Sequence, residues 1–399
     1  MARKADKKMV VTAFPTLNPR LLLKGNGPSM HAGITDTYGQ EGVEFFYFGR
    51  VAVWHAVKML DLRPEEYVLM PSYHCSVEVE ATVQAGVRVR FYKVDGNMNA
   101  DLDDMEKKIC RNTKAVFVIH YFGFPQPIFE IEGLCKSRGL YLMEDCAHAL
   151  LSSYRGRYLG TIGDFGVLSM QKFLPVPNGG VLLMNNRALR RSFASVPPNR
   201  RSVARALLLS ALRNLEAERE KTYEAVKLCL LDPLRALLRV LKRGSDLGIV
   251  NVASVDFNVG MVTLGMSEIS RKILSRIDVR NMVARRRENY KYLLELISPQ
   301  PKVRVCFPEL YEGVCPYFMA VEVRDNRDVH RRLKERSISS FIFGEFLHKA
   351  LPETGFDEAR GLSRKVIGLP IHQDLERREL EYMAQALRYA TEESRGQGA

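Results

Sequence analysis

Between residues 50 and 185, short apolar runs of strand length alternate with segments of helical periodicity. A chain with that alternation has few options other than repeated β-α units around a mainly parallel sheet. Residues 67–70, 87–92, 115–119 and 141–143 read as strands, and residues 77–85, 102–109 and 128–136 as helices. Chemically distinctive residues follow the strands directly: Pro71-Ser72-Tyr73-His74-Cys75, His120-Tyr121 and Glu144-Asp145. In an open α/β sheet the ligand crevice lies at the carboxyl ends of the strands. These residues are therefore expected to converge on one edge.

The chain is long enough for a large two-lobed core: 399 residues, 46% hydrophobic and 26% charged. That composition excludes a disordered chain or a mini-protein. Lys and Arg exceed Asp and Glu by 13, so the surface should attract anions such as phosphates, nucleic acid or acidic lipid. The seven cysteines are scattered, with no Cys-x-x-Cys spacing, and predict neither a disulfide framework nor a metal site. A reducing cytoplasm is the expected location. The basic N-terminus is followed by Pro15 and Pro19 rather than by the continuous apolar core of a signal peptide. No run reaches the roughly 20 apolar residues of a spanning helix.

Residues 199–245 interrupt the pattern with eleven basic against five acidic residues. Leu234, Leu237, Leu238 and Leu241 recur there at helical spacing among Arg235, Arg239, Lys242 and Arg243. Such a basic amphipathic helix either packs its leucines on the protein's own body or rests on an anionic membrane. From residue 277 onward, helices over 278–296, 326–335 and 376–391 and a strand over 317–323 imply a smaller α+β lobe. Nucleic-acid binding ranks last among the readings of the charge, because no recognised motif accompanies it.

Glu144-Asp145 closes a strand, where a carboxylate serves as a cofactor partner or as a cap for the turn from Ala147. Lys172 sits between an apolar strand and the Gly179-Gly180 turn that opens another, downstream of the glycine-rich Gly160–Gly166 segment. A lysine at such a place is costly unless something exploits it. An Asp and a Lys on neighbouring strands, with a glycine-rich loop, are what pyridoxal phosphate requires. The amine condenses with the aldehyde, and the carboxylate keeps the pyridine nitrogen protonated.

In this order the motifs Gly49-Arg50-Val51-Ala52, Pro71 to Cys75, His120 to Gly123, Glu144-Asp145-Cys146-Ala147-His148-Ala149, Gly160 to Gly166, and Lys172 through Gly180 resemble one family. It is the DegT/StrS-type nucleotide-sugar aminotransferases, PLP-dependent enzymes of the aspartate aminotransferase fold, fold type I. The resemblance continues through Asp256-Phe257-Asn258 and Arg276-Ile277-Asp278 to Leu369-Pro370-Ile371-His372. It implies an α/β fold: a large domain with a mainly parallel seven-stranded sheet and a smaller α+β C-terminal domain. The corresponding boundaries are an N-terminal arm (1–40), the PLP-binding domain (41–198), the basic helical insertion (199–245), a partner-subunit loop (246–276) and the small domain (277–399).

The resemblance also implies roles. Lys172 would be the Schiff-base lysine and proton shuttle, and Asp145 the pyridinium partner. His148 would lie near the ring and its phenolic oxygen. Gly49, Arg50 and Val51 would offer backbone N–H groups to the phosphate at a helix N-terminus, and Ser169 its hydroxyl. Asn258 would reach that phosphate from the second subunit of a homodimer. The residue covering the ring falls at Tyr73, His74 or Cys75, with His74 preferred. Taken singly, Tyr73 also reads as a core aromatic, His148 as a helix cap and Ser169 as a strand hydroxyl. Asn178 stands where relatives carry Glu or Asp, Arg50 where Thr or Ser is common, and Gly260 where an Arg is usual. Those departures bear on substrate class more than on cofactor binding.

The implied reaction is transamination from an amino donor, L-glutamate, to a keto group on a nucleotide-linked sugar. The alternatives are a cyclitol or natural-product aminotransferase and a catalytically idle PLP-binding sensor or scaffold. A sugar dehydratase fits less well, because relatives of that kind replace the lysine with histidine.

Overall fold

In the computed structural model of the chain, residues 9–18, 21, 37–39, 41–218 and 257–392 are described. Most of the expected arm, the part of the basic insertion from 219 to 245 with its leucine-rich stretch at 234–243, and residues 246–256 of the expected partner-subunit loop lie outside them. A seven-stranded sheet holds β1 (Val43–Phe46), β2 (Tyr67–Pro71), β3 (Arg88–Tyr92), β4 (Thr113–Ile119) and β5 (Tyr141–Cys146). Beyond the two-residue hairpin β6 (Ser153–Tyr154) and β7 (Arg157–Tyr158), it is completed by β8 (Phe165–Ser169) and β9 (Gly180–Met184). The spatial order is β1-β9-β8-β5-β4-β2-β3. Neighbours from β3 to β8 are parallel, and β9 runs antiparallel to both β8 and β1. The seven strands and the mainly parallel sheet agree with the expected fold.

β2, β8 and β9 are buried along their whole length, which is why they read as unbroken apolar runs rather than alternating ones. The chain passes from β2 to β3 on one side and returns past β2 to β4 on the other. The crevice where the order reverses opens at the carboxyl ends of β2 and β4. The helix α1 (Gly49–Met59) follows β1, and α2 (Ser76–Gln84), α3 (Leu102–Lys108) and α4 (Ile128–Arg138) form the crossovers. These three match the sequence-derived helices to within two residues.

One strand is longer than the sequence pattern implies. β5 continues through Glu144, Asp145 and Cys146, with Glu144 opposite Val118 and Gly166 and Asp145 opposite Ile119 and Val167. Carboxylates are disfavoured in strands by propensity, but ladders on both sides override that preference here. Glu144 and Asp145 consequently point to opposite faces.

Gly180 lets β9 pass beneath the start of α1. A Cβ there would lie 2.2 Å from both the carbonyl carbon and oxygen of Phe48 and 2.5 Å from the Gly49 nitrogen. Because backbone cannot yield as a side-chain tip can, Gly180→Ala is expected to destabilise the protein by about 2–3 kcal/mol, read as a lowered thermal midpoint.

The remaining helices are α5 (Arg200–Glu218), α6 (Glu268–Leu274), α7 (Val279–Ile297), α8 (Asn326–Glu335), α9 (Asp357–Lys365) and α10 (Arg377–Glu392). An antiparallel sheet of β10 (Arg304–Val305), β11 (Phe318–Glu322) and β12 (Val366–Pro370) accompanies them. Asp278 and Asp325 cap α7 and α8 by accepting backbone N–H groups. In α5, Ser210 Oγ accepts the Leu17 N–H at 2.9 Å, and Asn214 Nδ2 donates to Thr16 Oγ1 at 3.1 Å. This first part of the basic segment therefore packs on the protein's own chain. Among the described residues, no helix is long and apolar enough to cross a membrane.

Candidate active site

A cavity of about 90 Å³ lies at the carboxyl ends of β5 and β8 and the start of α1. Lys172, Asp145, His148, Ser169, Gly49 and Arg50 line it. Six of the nine residues expected at the site are thus brought together, from segments more than a hundred residues apart.

Lys172 ends a single 3₁₀ turn, Met170–Lys172, that follows β8. Its Nζ lies 5.9 Å from the centre of the Tyr317 ring. A buried support holds this turn: Arg286 Nη2 donates to the Phe173 carbonyl at 3.3 Å, and Gln373 Nε2 donates to the same oxygen at 3.1 Å. Arg286 also donates to the carbonyls of Pro316 and Tyr317 and to Gln373 Oε1. The backbone beside Lys172 is thereby tied to α7 and to the start of β11. The sequence pattern offered no signal for this arginine, whose partners are carbonyls scattered over the chain.

Asp145 anchors one oxygen on the Ala147 N–H, 2.8 Å from Oδ1. Burial raises its pKa, opposed by the charge of Lys172. His148 is no helix cap. Its ring stacks on Tyr317 at 4.5 Å and meets Phe343 at 4.9 Å, and neither ring nitrogen has a partner among the described residues. Burial, reinforced by the Lys172 charge, holds its pKa well below the usual value. A neutral imidazole therefore offers one donor and one acceptor, and such buried groups call for a partner.

α1 begins at Phe48 with no side-chain cap, so its first N–H groups and the helix dipole favour an anion there. Ser169 sits beside Gly49: a Cβ on Gly49 would lie 3.6 Å from the Ser169 Cβ. Arg50 is buried with its guanidinium 5.2 Å from the Phe48 ring centre. Burial lowers its pKa, opposed by Cys75 and Glu78.

Three expected residues fall elsewhere. Val51 is a fully buried core side chain whose N–H donates to the Phe48 carbonyl at 3.1 Å, inside the first turn. His74 does not reach the cavity. Its Nδ1 bonds the Pro71 carbonyl at 3.1 Å, its Nε2 accepts the His348 N–H at 3.0 Å, and its ring stacks on Phe91. Burial pushes its pKa down to about 4, which keeps this arrangement neutral. Tyr73 is buried too, donating to the Phe343 carbonyl at 3.0 Å. Of the three residues considered for covering a ring, Cys75 is the one that lines the cavity. Asn258 is exposed, capping a 3₁₀ turn through the Gly260 N–H, and is not at the cavity of its own chain.

The two adjacent acids have separate tasks. Glu144 accepts the N–H groups of Ile162 and Gly163 at 2.7 Å and of Gly160 at 2.9 Å, and His120 Nε2 lies 3.1 Å from it. His120 Nδ1 accepts the Gln126 N–H, so Nε2 carries the proton toward Glu144. The glycine-rich loop is therefore held by Glu144 and stands outside the cavity. Ligand atoms of His120, Glu144 and Cys146 come within 4.8 Å of one another, but these hydrogen bonds occupy the acid and the imidazole. Glu78, Gln171 and Phe343 also line the cavity. Glu78 lies three residues past Cys75 and accepts its N–H at 2.7 Å, a spacing that reads as an ordinary helix start.

The donor set suits pyridoxal phosphate. An amine and a carboxylate flank one cavity, a neutral imidazole with two unused nitrogens adjoins it, and a helix N-terminus with a serine hydroxyl offers an anion site.

The sequence matches the DegT/DnrJ/EryC1/StrS aminotransferase family over residues 49–388. It is 28% identical over 364 residues to dTDP-4-dehydro-2,3,6-trideoxy-D-glucose 4-aminotransferase of Saccharopolyspora spinosa, covering 88% of this chain and 85% of that one. It is 33% identical over 144 residues to GDP-perosamine synthase of Escherichia coli O157:H7, covering 35% and 40%. The solved structure of the aminotransferase TlmJ from Streptoalloteichus hindustanus superposes with a TM-score of 0.69 at 23% identity, over 96% of this chain and 98% of that one, a likeness of fold.

Proposed function

Because the chain belongs to the DegT/DnrJ/EryC1/StrS aminotransferase family, a family of PLP-dependent transaminases, we propose that it moves an amino group from L-glutamate to the keto group of a nucleotide-linked sugar. The observation that carries this reading is the placement of Lys172 and Asp145 on one cavity. Two relatives named for dTDP- and GDP-linked sugars support the acceptor class, and the net charge of +13 suits a diphosphate.

Bound in the cavity, pyridoxal phosphate supplies an aldehyde for an amine and a ring that takes up electrons from a carbon losing its proton. Lys172 Nζ is the amine that would condense with the aldehyde, with loss of water, and, when free, would pass a proton between the donor's carbon and the cofactor's. Asp145 would face the ring nitrogen and keep it protonated. His148, neutral by burial, would give a hydrogen bond to the ring's oxygen. Gly49, Arg50 and Ser169 would hold the phosphate, and Cys75 would form the wall against the ring. Asn258, exposed on its own chain, reaches the phosphate of a second copy in a homodimer.

Loaded protein with L-glutamate alone should form about one 2-oxoglutarate per site, and should continue to repeated turnover only when a nucleotide-linked keto sugar is present. Turnover with cyclitol ketones alone, or with no acceptor tried, would remove this assignment. Asp145→Asn keeps the acceptor oxygen for Ala147 but loses the charge. It should lower kcat by about 10²-fold with little change in the acceptor KM. Steady-state kinetics of the folded variant measures both.

A further inference from the structure

Two carboxylic acids share the cavity wall, and each has one oxygen tied to backbone. Asp145 Oδ1 accepts the Ala147 N–H, and Glu78 Oε1 accepts the Cys75 N–H. Among the described residues, no side chain donates a hydrogen bond to either acid. Both side chains are buried, with Glu78 6% and Asp145 8% exposed. The charged and titratable groups around Glu78 are Lys172 from the turn after β8, Arg50 from α1, Cys75 at the head of its own helix, Tyr121 after β4 and Asp145 from β5. His120 stands near Asp145.

Two carboxylates on the wall of one dry cavity do not both ionise cheaply, so one of them keeps its proton. We infer that Glu78 and Asp145 act as one carboxyl pair holding a single proton between them at neutral pH, with Glu78 setting the charge that Asp145 presents to the cavity. The proton rides on Glu78, and Asp145 carries the charge. Burial first, and the Asp145 charge next, push the Glu78 carboxyl up to about 8. Glu78 is thus a positioning residue. Its catalytic consequence rests on the reading of Asp145 as the ring-nitrogen partner, whereas the pair itself does not.

Glu78 binds its proton more tightly folded than at its ordinary 4.5. The stability this contributes is complete below that pH, drains as the pH rises, and is spent above about 8. Thermal midpoints should be measured from about pH 5 to about pH 9 on cofactor-free and PLP-loaded protein. Glu78→Gln, which keeps an acceptor for the Cys75 N–H, should gain on the wild type steadily across this window and then level off. In Asp145→Asn the negative neighbour is gone, so the Glu78 break should move acidward by about one pH unit or more.

If Glu78→Gln runs parallel to the wild type, or the break does not move in Asp145→Asn, the pair is overturned; in the second case burial alone raises the acid. Should Glu78→Gln fail to fold, carbon-13 NMR titration of glutamate carboxyls in wild type and Asp145→Asn reads the same coupling. In loaded enzyme, an alkaline limb of kcat/KM near the Glu78 break should vanish in Glu78→Gln. If no keto sugar is aminated while the stability break still moves, the transaminase reading has failed and the pair stands.

Discussion

Lys172→Ala should lower turnover by about 10⁴-fold or more while leaving the fold intact. The amine serves twice in the proposed chemistry, as the group that bonds the cofactor's aldehyde and as the base that moves the proton, and acid–base catalysis alone contributes about 10² to 10⁴. The side chain is half-buried at the cavity, with its Nζ over the Tyr317 ring at 5.9 Å. Truncation removes the cation that opposes the burial of Asp145, and the acid can answer by keeping its proton rather than standing as an unpaired buried charge. Lys172→Arg separates charge from chemistry: the guanidinium keeps the cation but stays protonated at any working pH, so this variant should be equally inactive. Single-turnover amination and a melting curve on the same samples test the pair of claims. A Lys172→Ala protein with more than about a hundredth of wild-type activity would contradict the assignment.

The second large effect falls on stability. Glu144 satisfies the N–H groups of Gly160, Ile162 and Gly163 and meets His120, all in the interior. Glu144→Ala strips the acceptor from three buried donors at once, each costing about 1–3 kcal/mol. The sum, about 4 kcal/mol or more, is a large share of the 5–15 kcal/mol that holds an ordinary domain together. Urea unfolding should show a strongly lowered midpoint or loss of soluble protein, while Glu144→Gln, which keeps one acceptor oxygen for Ile162 and Gly163, should lose far less. Asp145→Asn should do the reverse, sparing stability and impairing turnover. If Glu144→Ala melts like the wild type and is merely inactive, the acid belongs to the chemistry and the separation of the two roles fails.

The motifs around Lys172 and Asp145 are visible in the sequence because they carry both a local and a chemical signature. A lysine beside an apolar strand and an acid at a strand end stand out against flanking residues that are almost all apolar. The same holds for Gly49 and Ser169, which mark the start of α1 and the end of β8. His74, the preferred member of its triplet, is turned away from the cavity, and Cys75 lines it. After β2 the chain turns sharply, and which of Tyr73, His74 and Cys75 faces the cavity depends on Phe91, Phe343 and His348, residues far along the chain. Val51 likewise reads as a phosphate contact, yet its N–H is spent within the helix. Glu78 and Arg286 went unread because a glutamate in a helix's first turn and an arginine in a helix full of arginines are ordinary surface features in a linear text.

The order of apolar runs and helices, and the residue types that can perform the chemistry, were set by the sequence alone, because period and side-chain chemistry are local properties. Which of two adjacent acids faces the cavity, which buried cation braces the lysine turn, and where a second carboxylate approaches the first were decided only by the tertiary structure. Strand pairing fixes side-chain direction, and the pairing partners come from segments that the linear order keeps far apart.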